Sequence, residues 1–270
     1  MTADTVAAAE GLLAGGADEV IVLDNHASGN PQNLLDEELP DGARVETWDV
    51  FDLGEHRVDA MLQVGYHARA GVEAFISHTY VPGLRLRVNG EPVSESHGRA
   101  WAAGVPLLGI VGNEQHARTL GSLGEVPYLV VQRTSALHEA RPAFDTPEAG
   151  LAAIREFAAE GLRAGGAIIR APEDYLFEAD LQVDDEHAVA LAEAGWERRG
   201  ETEFAAERRD WPQARPLLVA AMFGAFAPWM PYFTSFDLGS ERAMSAVHDD
   251  PLMVRGRARF DEWLHSPTTN

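Results

Sequence analysis

Three histidines follow apolar, strand-like runs in the first third of the chain, each within three residues of the end of its run: His26, His67 and His78. When strands end at the same edge of a sheet, the residues that follow them come within reach of a common point. Neutral imidazole is a good ligand for zinc, manganese and iron ions. A lone histidine at a strand end is typically just a polar loop residue, but three with the same placement predict a metal site.

A carboxylate follows at Glu95, shortly after the turn signal Asn89-Gly90. The Asn-Gly pair predicts a β-hairpin, so we expect the returning strand to carry the Glu95 carboxylate back toward the sheet. Glu91 and His97 are alternatives, because spacing alone does not decide which side chain points inward. An exposed acid at a strand end is the other interpretation of Glu95.

The residues that several common classes of enzyme require are absent from this chain. Cysteine is absent, which excludes disulfides, thiolate nucleophiles and cysteine-held metal sites, so any metal must bind His, Asp or Glu. The motifs H-E-x-x-H, G-x-S-x-G and the P-loop are missing as well. The common zincin, serine hydrolase and nucleotide-binding interpretations are therefore disfavoured.

Composition limits the partners. The 270 residues carry a formal net charge of −22, and lysine is absent. No basic cluster exists to neutralise phosphates, so nucleic acids and anionic membranes are poor partners. No apolar run approaches the roughly 20 residues that a membrane span needs, and we expect a cytoplasmic protein.

Apolar runs and helical segments alternate through the first half, which predicts an α/β fold. The predicted strands and apolar runs are Glu19–Leu23, Ala60–Val64, Phe75–Ile76, Arg85–Val88, Pro106–Val111 and Tyr128–Gln132. The predicted helices are Asp4–Ala14 and Glu114–Leu120.

The second half opens on a helix start at Thr146-Pro147-Glu148, where a capping residue precedes proline and an acid. This helix is predicted to end at Ala164. A strand over Tyr175–Val183 and helices over Asp185–Ala194 and Pro212–Phe226 are predicted to follow. We therefore predict an α/β metal-site domain over 1–144, an α+β portion over 145–227 and an aromatic C-terminal extension over 228–270, which docks on the body or on a neighbouring subunit.

Five segments resemble the M55 metallopeptidases, a family of zinc-dependent D-aminopeptidases. They are GADEVIVLDNH (16–26), VGYHARA (64–70), ISHT (76–79), VNGEPVSE (88–95) and GVPLLGIVG (104–112). The succession of GYHAR and SHT is specific. The resemblance covers residues 1–132 well and 136–226 weakly.

This resemblance implies a three-layer α/β sandwich with a smaller α+β portion, assembled into ring-shaped homo-oligomers. It implies that His26, His67 and Glu95 are ligands of a two-zinc site and that His78 is catalytic. The implied activity releases N-terminal residues, including D-amino acids, from short peptides: metal-activated water attacks and a histidine shuttles the proton. Arg69, Asn89 and Asn113 are expected to be supporting, substrate-contacting or merely structural groups.

One family feature has no counterpart here. Family members begin with a strand bearing Asp-x-Glu, whose Asp bridges the two metals, whereas Met1–Asp4 matches a point inside the next helix. Three alternatives stay open: a start codon assigned too late, a single metal held by His26, His67 and Glu95, or a non-catalytic oligomeric binding relative. A missing central strand costs about 1–3 kcal/mol for each unpaired buried group, which favours the first alternative. It also predicts a strand-wide gap beside His26 and His67.

Overall fold

The computed structural model describes residues 2–24, 34–46, 57–81, 83–136, 139–183 and 185–226. His26 and the predicted extension over 228–270 lie outside these residues, so the predictions made for them stay predictions. Among the described residues, no helix is long and apolar enough to cross a membrane.

The described secondary structure consists of six α-helices, twelve β-strands and two short 3-10 helices, Asp36–Glu38 and Gly121–Leu123. The helices are α1 (Thr2–Gly15), α2 (Glu95–Ala103), α3 (Glu114–Arg118), α4 (Pro147–Ala164), α5 (Asp185–Ala194) and α6 (Trp211–Phe226). The strands are β1 (Val20–Leu23), β2 (Ala43–Glu46), β3 (Met61–Tyr66), β4 (Arg85–Val88), β5 (Glu91–Pro92), β6 (Pro106–Asn113), β7 (Tyr128–Ala136), β8 (Glu139–Pro142), β9 (Ala167–Ile168), β10 (Tyr175–Asp180), β11 (Glu197–Arg198) and β12 (Glu203–Arg208).

The chain folds into two compact units. The first unit comprises Met1–Ala68, Ala74–Ile76 and Glu95–Ala171. The second unit comprises Arg69–Glu73, Ser77–Ser94 and the described residues from Pro172 to Phe226. The predicted boundary at 144/145 stays a prediction.

A parallel sheet forms the centre of the first unit. Strands β3, β6 and β7 run parallel, and β8 joins β7 in the antiparallel sense. One face packs against Ala100 of α2 and Leu120 beyond α3, while the other packs against Ala7 of α1 and Ile154 of α4. Both faces are covered, as parallel sheets require. The predicted three-layer α/β arrangement is therefore present within this unit.

A separate two-stranded sheet pairs β1 with β2 in parallel, packed on α1 through Ala9, Val20 and Val22. Among the described residues, no strand joins this sheet to β3. Asp24 is buried directly after β1. The gap predicted beside His26 concerns a residue outside the described ranges, and it stays a prediction.

The second unit contains an antiparallel sheet of strand order β11-β12-β10-β4-β5. Its core is aromatic: Phe177 stacks on Tyr175 with ring centroids 5.4 Å apart, and Trp196 lies 6.2 Å from the Phe177 ring. Trp196 also donates a 3.0 Å hydrogen bond to the Leu217 carbonyl oxygen of α6. This smaller α+β part matches the predicted one in type.

The predicted hairpin is present as β4 and β5. Asn89 and Gly90 have φ of 53° and 81°, as the two central residues of a type I′ turn require. Strand β5 ends at Pro92, however, and Glu95 is the first residue of helix α2. The prediction that a returning strand carries Glu95 is therefore wrong, because the chain leaves the hairpin after two paired residues.

The other helices follow their sequence signals closely. Thr146 accepts a hydrogen bond from the Ala149 amide at the start of α4, which ends at Ala164 as predicted.

The Phe75–Ile76 run is not a strand: both residues lie in bends between β3 and β4. Two apolar residues are too few to sustain a ladder.

Candidate metal centre

His67 directly follows strand β3, where the backbone is bent. The pairing of β3 with β6 shifts register between Val64 and Tyr66, and Gly65 has a φ of 82°. A positive φ is accessible to glycine without steric cost, and a bulge of this kind redirects the side chains that follow it. The Gly-Tyr-His sequence thus sets the direction of the His67 side chain.

The ring of His67 is oriented by the backbone beside it. Its Nδ1 lies 3.1 Å from the Ala68 carbonyl oxygen. A carbonyl oxygen only accepts, so Nδ1 carries the proton and Nε2 keeps a lone pair. Metal-binding histidines commonly donate their second ring nitrogen to a backbone carbonyl in this way. This contact fits the ligand role predicted for His67.

His78 lies in the loop between β3 and β4, which Thr79 braces. Thr79 is buried, and its hydroxyl accepts a 3.1 Å hydrogen bond from the Ala70 amide and donates a 3.4 Å hydrogen bond to the Val93 carbonyl oxygen. These two partners stand three residues after His67 and two before Glu95 in the sequence. One hydroxyl therefore ties the loop to both neighbouring segments.

The backbone after His78 is strained. The Val81 amide donates a 2.7 Å hydrogen bond to the Thr79 carbonyl oxygen, and Tyr80 between them has a φ of 62°. A three-residue turn with positive φ at its centre is rare and unfavourable for a residue with a side chain. Such strain persists only where the surrounding contacts impose it, and it is common at functional sites.

Glu95 begins helix α2, next to the buried residues Ser94, Ser96 and His97. A carboxylate in the first helical turn is favoured by the exposed amides of that turn. The alternatives considered for Glu95 have other environments: Glu91 is exposed, and His97 is buried with its ring 5.7 Å from the Trp101 ring.

The structure brings His67, His78 and Glu95 together. One ligand atom from each lies within 4.8 Å of the others, and all three side chains are partly buried. Two atoms that share a zinc ion at about 2.0–2.1 Å can be no more than about 4.2 Å apart. The spread of up to 4.8 Å is wider than this limit, so the ligand atoms must move slightly closer together to share one ion. Two imidazoles and a carboxylate are a known ligand set for catalytic zinc.

Tyr66 lies beside this group and stays protonated at neutral pH. Burial is the main cause that raises the pKa of Tyr66 to about 12; the charge of Arg99 and its hydrogen bond oppose this rise, and the Glu95 carboxylate contributes to it. A neutral phenol is a poor metal ligand. Tyr66 therefore acts here as a partly buried ring and hydrogen-bonding group.

A buried polar network centres on His116, behind β3 and α2. Burial lowers the pKa of His116 to about 3, with smaller contributions from His67 and His97, so its imidazole is neutral. The ring contacts Ser96 and Tyr128 through its two nitrogens. Burial also raises the pKa of Tyr128. Sequence reasoning missed this network, because its members come from three separate elements, α2, α3 and β7.

The three supporting residues that the resemblance suggested have mainly structural contacts. Asn89 bonds the Asp174 carbonyl oxygen and the Leu176 amide. Asn113 caps α3 by accepting from the His116 amide at 2.8 Å. Arg69 donates to the Ala70 carbonyl oxygen, and burial, then the nearby Arg87, lowers its pKa.

The fold is an α/β fold with a parallel sheet covered on both faces. Two imidazoles and a carboxylate are grouped where a strand ends, in a loop and where a helix begins. These features define a candidate metal-binding α/β protein. The family model of the M55 peptidases, described as D-aminopeptidase, matches residues 1–220. The chain belongs to this family.

A curated relative and a solved structure, both from Bacillus subtilis, are similar to the chain. The curated D-aminopeptidase of strain 168 is 36% identical over 112 residues, which cover 38% of this chain and 40% of that relative. The chain thus matches about two fifths of the relative's length. The solved structure of the zinc-dependent D-aminopeptidase DppA, described as a self-compartmentalizing protease, matches 83% of this chain and 85% of its own with a TM-score of 0.72 at 23% identity. This similarity confirms the α/β fold.

Proposed function

We propose that the chain is a zinc-dependent aminopeptidase that removes N-terminal residues, including D-amino acids, from short peptides. The observation that carries this proposal is the grouping of His67, His78 and Glu95 within 4.8 Å. Membership of a family described as D-aminopeptidase supports the substrate class. The similarity to a zinc-dependent enzyme supports zinc as the metal.

His67 and Glu95 hold the metal in this proposal. The Nδ1–H of His67 is occupied by the Ala68 carbonyl oxygen, which leaves Nε2 as the ligand atom. The carboxylate of Glu95 supplies the negative charge that offsets the cation. His26 is proposed as a further ligand on the strength of the resemblance alone. A bound zinc ion polarises a scissile carbonyl and lowers the pKa of water.

His78 is proposed as the group that transfers the proton. Its ring nitrogen lies within 4.8 Å of ligand atoms of His67 and Glu95, close enough to accept a proton from an attacking water and to pass it to the leaving amine. The hydrogen bonds of Thr79 hold the backbone next to His78.

Metal content and hydrolysis measured on the same samples test this proposal. We expect the purified full chain to contain zinc and to hydrolyse a D-alanyl dipeptide. His67→Ala and Glu95→Gln should lose both zinc and activity, whereas Glu91→Gln, an exposed acid on β5, should lose neither. The proposal fails if the wild-type chain contains no transition metal and His67→Ala behaves like wild type.

His78→Ala separates its two possible roles. A proton-transfer role predicts a loss of kcat of about 100-fold or more with zinc content retained. Loss of zinc together with activity would make His78 a ligand instead. His187→Ala, on α5, is the matched control and should change neither quantity.

We also propose that the chain assembles into a homo-oligomeric ring, because the DppA structure is described as self-compartmentalizing. Light scattering coupled to size-exclusion chromatography tests this proposal. A single species at 29.3 kDa would contradict it.

A further inference from the structure

We propose that His116 is a positioning residue of the metal centre, which fixes the end of β3 and the start of α2 relative to each other. The two elements carry His67 and Glu95. The inference rests on the proposed function, since it gives His116 a role at the same site. It concerns metal affinity, and it involves no contact between His116 and the metal.

The His116 ring contacts the sequence neighbours of both proposed ligands. It stacks on Tyr66, which precedes His67, with centroids 5.9 Å apart and planes 21° apart. Its Nε2 lies 3.3 Å from the hydroxyl oxygen of Ser96, which follows Glu95. His116 is fully buried, so these contacts are shielded from water.

The hydrogen bonds of His116 have one consistent direction. The Tyr128 hydroxyl donates its only proton to the Asn113 carbonyl oxygen at 3.0 Å. The 3.1 Å contact between His116 Nδ1 and the same hydroxyl therefore requires Nδ1 to be the donor. Nε2 is then an acceptor, and the Ser96 hydroxyl donates to it. The chain runs from Ser96 through His116 and Tyr128 to a backbone carbonyl.

Further contacts fix both ends of this chain. The Asn113 side chain accepts from the His116 amide at 2.8 Å, which holds the residue at the start of α3. The Gln63 side chain on β3 donates to the Ser96 carbonyl oxygen at 3.2 Å. A Cβ atom at Gly112 would collide with the Tyr66 carbonyl oxygen and the Tyr128 hydroxyl, so glycine permits this close approach.

The physical consequence is that a metal site tolerates only small displacements of its ligands. Ligands must be held to within about 0.5 Å for tight binding, and partners behind the ligands typically change metal affinity by about 10–100-fold. His67 ends a strand and Glu95 starts a helix, so their separation depends on how these two elements are joined. The His116 side chain contacts the residue next to each of these two ligands.

The test measures zinc affinity of the full chain by competition with a chromophoric chelator. We expect Ser96→Ala to weaken zinc binding about 10–100-fold, because the hydroxyl to Nε2 is lost. Ser96→Thr keeps a hydroxyl and should restore affinity to within about threefold of wild type. Tyr128→Phe should weaken binding by a smaller factor, since it removes the bond at the far nitrogen.

Tyr175→Phe is the matched control, since Tyr175 is a buried tyrosine of the second unit. It should leave zinc affinity unchanged even where it lowers the melting temperature. The inference is overturned if Ser96→Ala binds zinc with wild-type affinity. It is also overturned if Ser96→Thr binds zinc as weakly as Ser96→Ala does. If the wild-type chain contains no zinc and His67→Ala behaves like the wild type, the proposed function is refuted. The inference about His116 then fails with it.

A spectroscopic readout tests the hydrogen-bond chain without metal. Long-range ¹⁵N–¹H correlation spectra of the full chain should show His116 as the neutral Nδ1–H tautomer. Tyr128→Phe should shift the Nδ1 resonance, and Ser96→Ala should shift that of Nε2. The Nε2–H tautomer in the wild type would overturn the proposed direction of the chain.

Discussion

The two units differ in what they bury. Within the described part of the chain, the buried polar residues are Asp24, Gln63, Thr79, Ser94, Ser96, His97, Arg99, Asn113 and His116. All but Thr79 and Ser94 belong to the first unit, and those two lie in the loop and hairpin segment Ser77–Ser94. The antiparallel sheet of the second unit is filled instead by Tyr175, Phe177 and Phe204.

This difference indicates that the two regions serve different ends. Buried polar groups cost free energy unless every one is hydrogen-bonded, so an apolar core is the simpler way to stability. Where they are retained, they fix one arrangement of the side chains around them. The second unit is expected to contribute stability, and the polar region of the first unit is expected to contribute geometry.

The largest effect on stability should come from the aromatic core. Phe177→Ala removes a fully buried ring stacked on Tyr175 and is expected to cost about 3–5 kcal/mol of unfolding free energy. Zinc affinity of the folded fraction should be unchanged. Urea titration measures the first quantity and chelator competition the second. Glu178→Ala, an exposed neighbour on β10, should change stability by less than about 0.5 kcal/mol.

The next effect concerns acid stability and involves His116. Its pKa is about 3 in the folded chain, against 6.5 for an ordinary histidine, so the unfolded chain binds more protons between these values. Stability should therefore rise with pH through this window, by up to about 1.4 kcal/mol per pH unit from this group, and be fully present above 6.5. His116→Phe should flatten that slope, whereas Tyr128→Phe should not. Urea titrations at several pH values would show an equal slope in both variants if the assignment is wrong.

A smaller stability effect with a larger effect on rate is expected for Thr79→Val. Valine fills the same volume but leaves the Ala70 amide and the Val93 carbonyl without their partner, at about 1–3 kcal/mol. Because the Thr79 hydroxyl braces the His78 loop, kcat for dipeptide hydrolysis should fall by more than the loss of stability explains. Thr79→Ser retains the hydroxyl and should retain the rate. If Thr79→Val and Thr79→Ser have the same kcat, the Thr79 hydroxyl has no role in positioning the site.

The smallest expected effect lies at the start of α4. Thr146→Ala removes the side-chain acceptor of the Ala149 amide and should cost about 1 kcal/mol. Thr146→Ser keeps the cap and should cost little. Thermal unfolding measures both changes, and neither variant should alter hydrolysis.

Much of the fold was predictable because its signals are local. The Asn89-Gly90 turn, the capped start of α4 at Thr146 and the strand over Pro106–Asn113 each follow from a few adjacent residues. Helix α2 was missed because its first turn, Glu95-Ser96-His97-Gly98, has neither an early proline nor a clear apolar period. Packing of Ala100 against the sheet stabilises this helix, and no local pattern shows that contact.

The sequence by itself determined the family and the α/β class, and it proposed His26, His67, His78 and Glu95 as site residues, because motif order and residue chemistry are properties of the chain. Only the tertiary structure decided that these three side chains lie within 4.8 Å of one another. It alone showed that Glu95 belongs to a helix start and that His116 links Tyr66 to Ser96. The physical reason is that these relations join residues far apart in sequence, and long-range packing and hydrogen bonds set such distances.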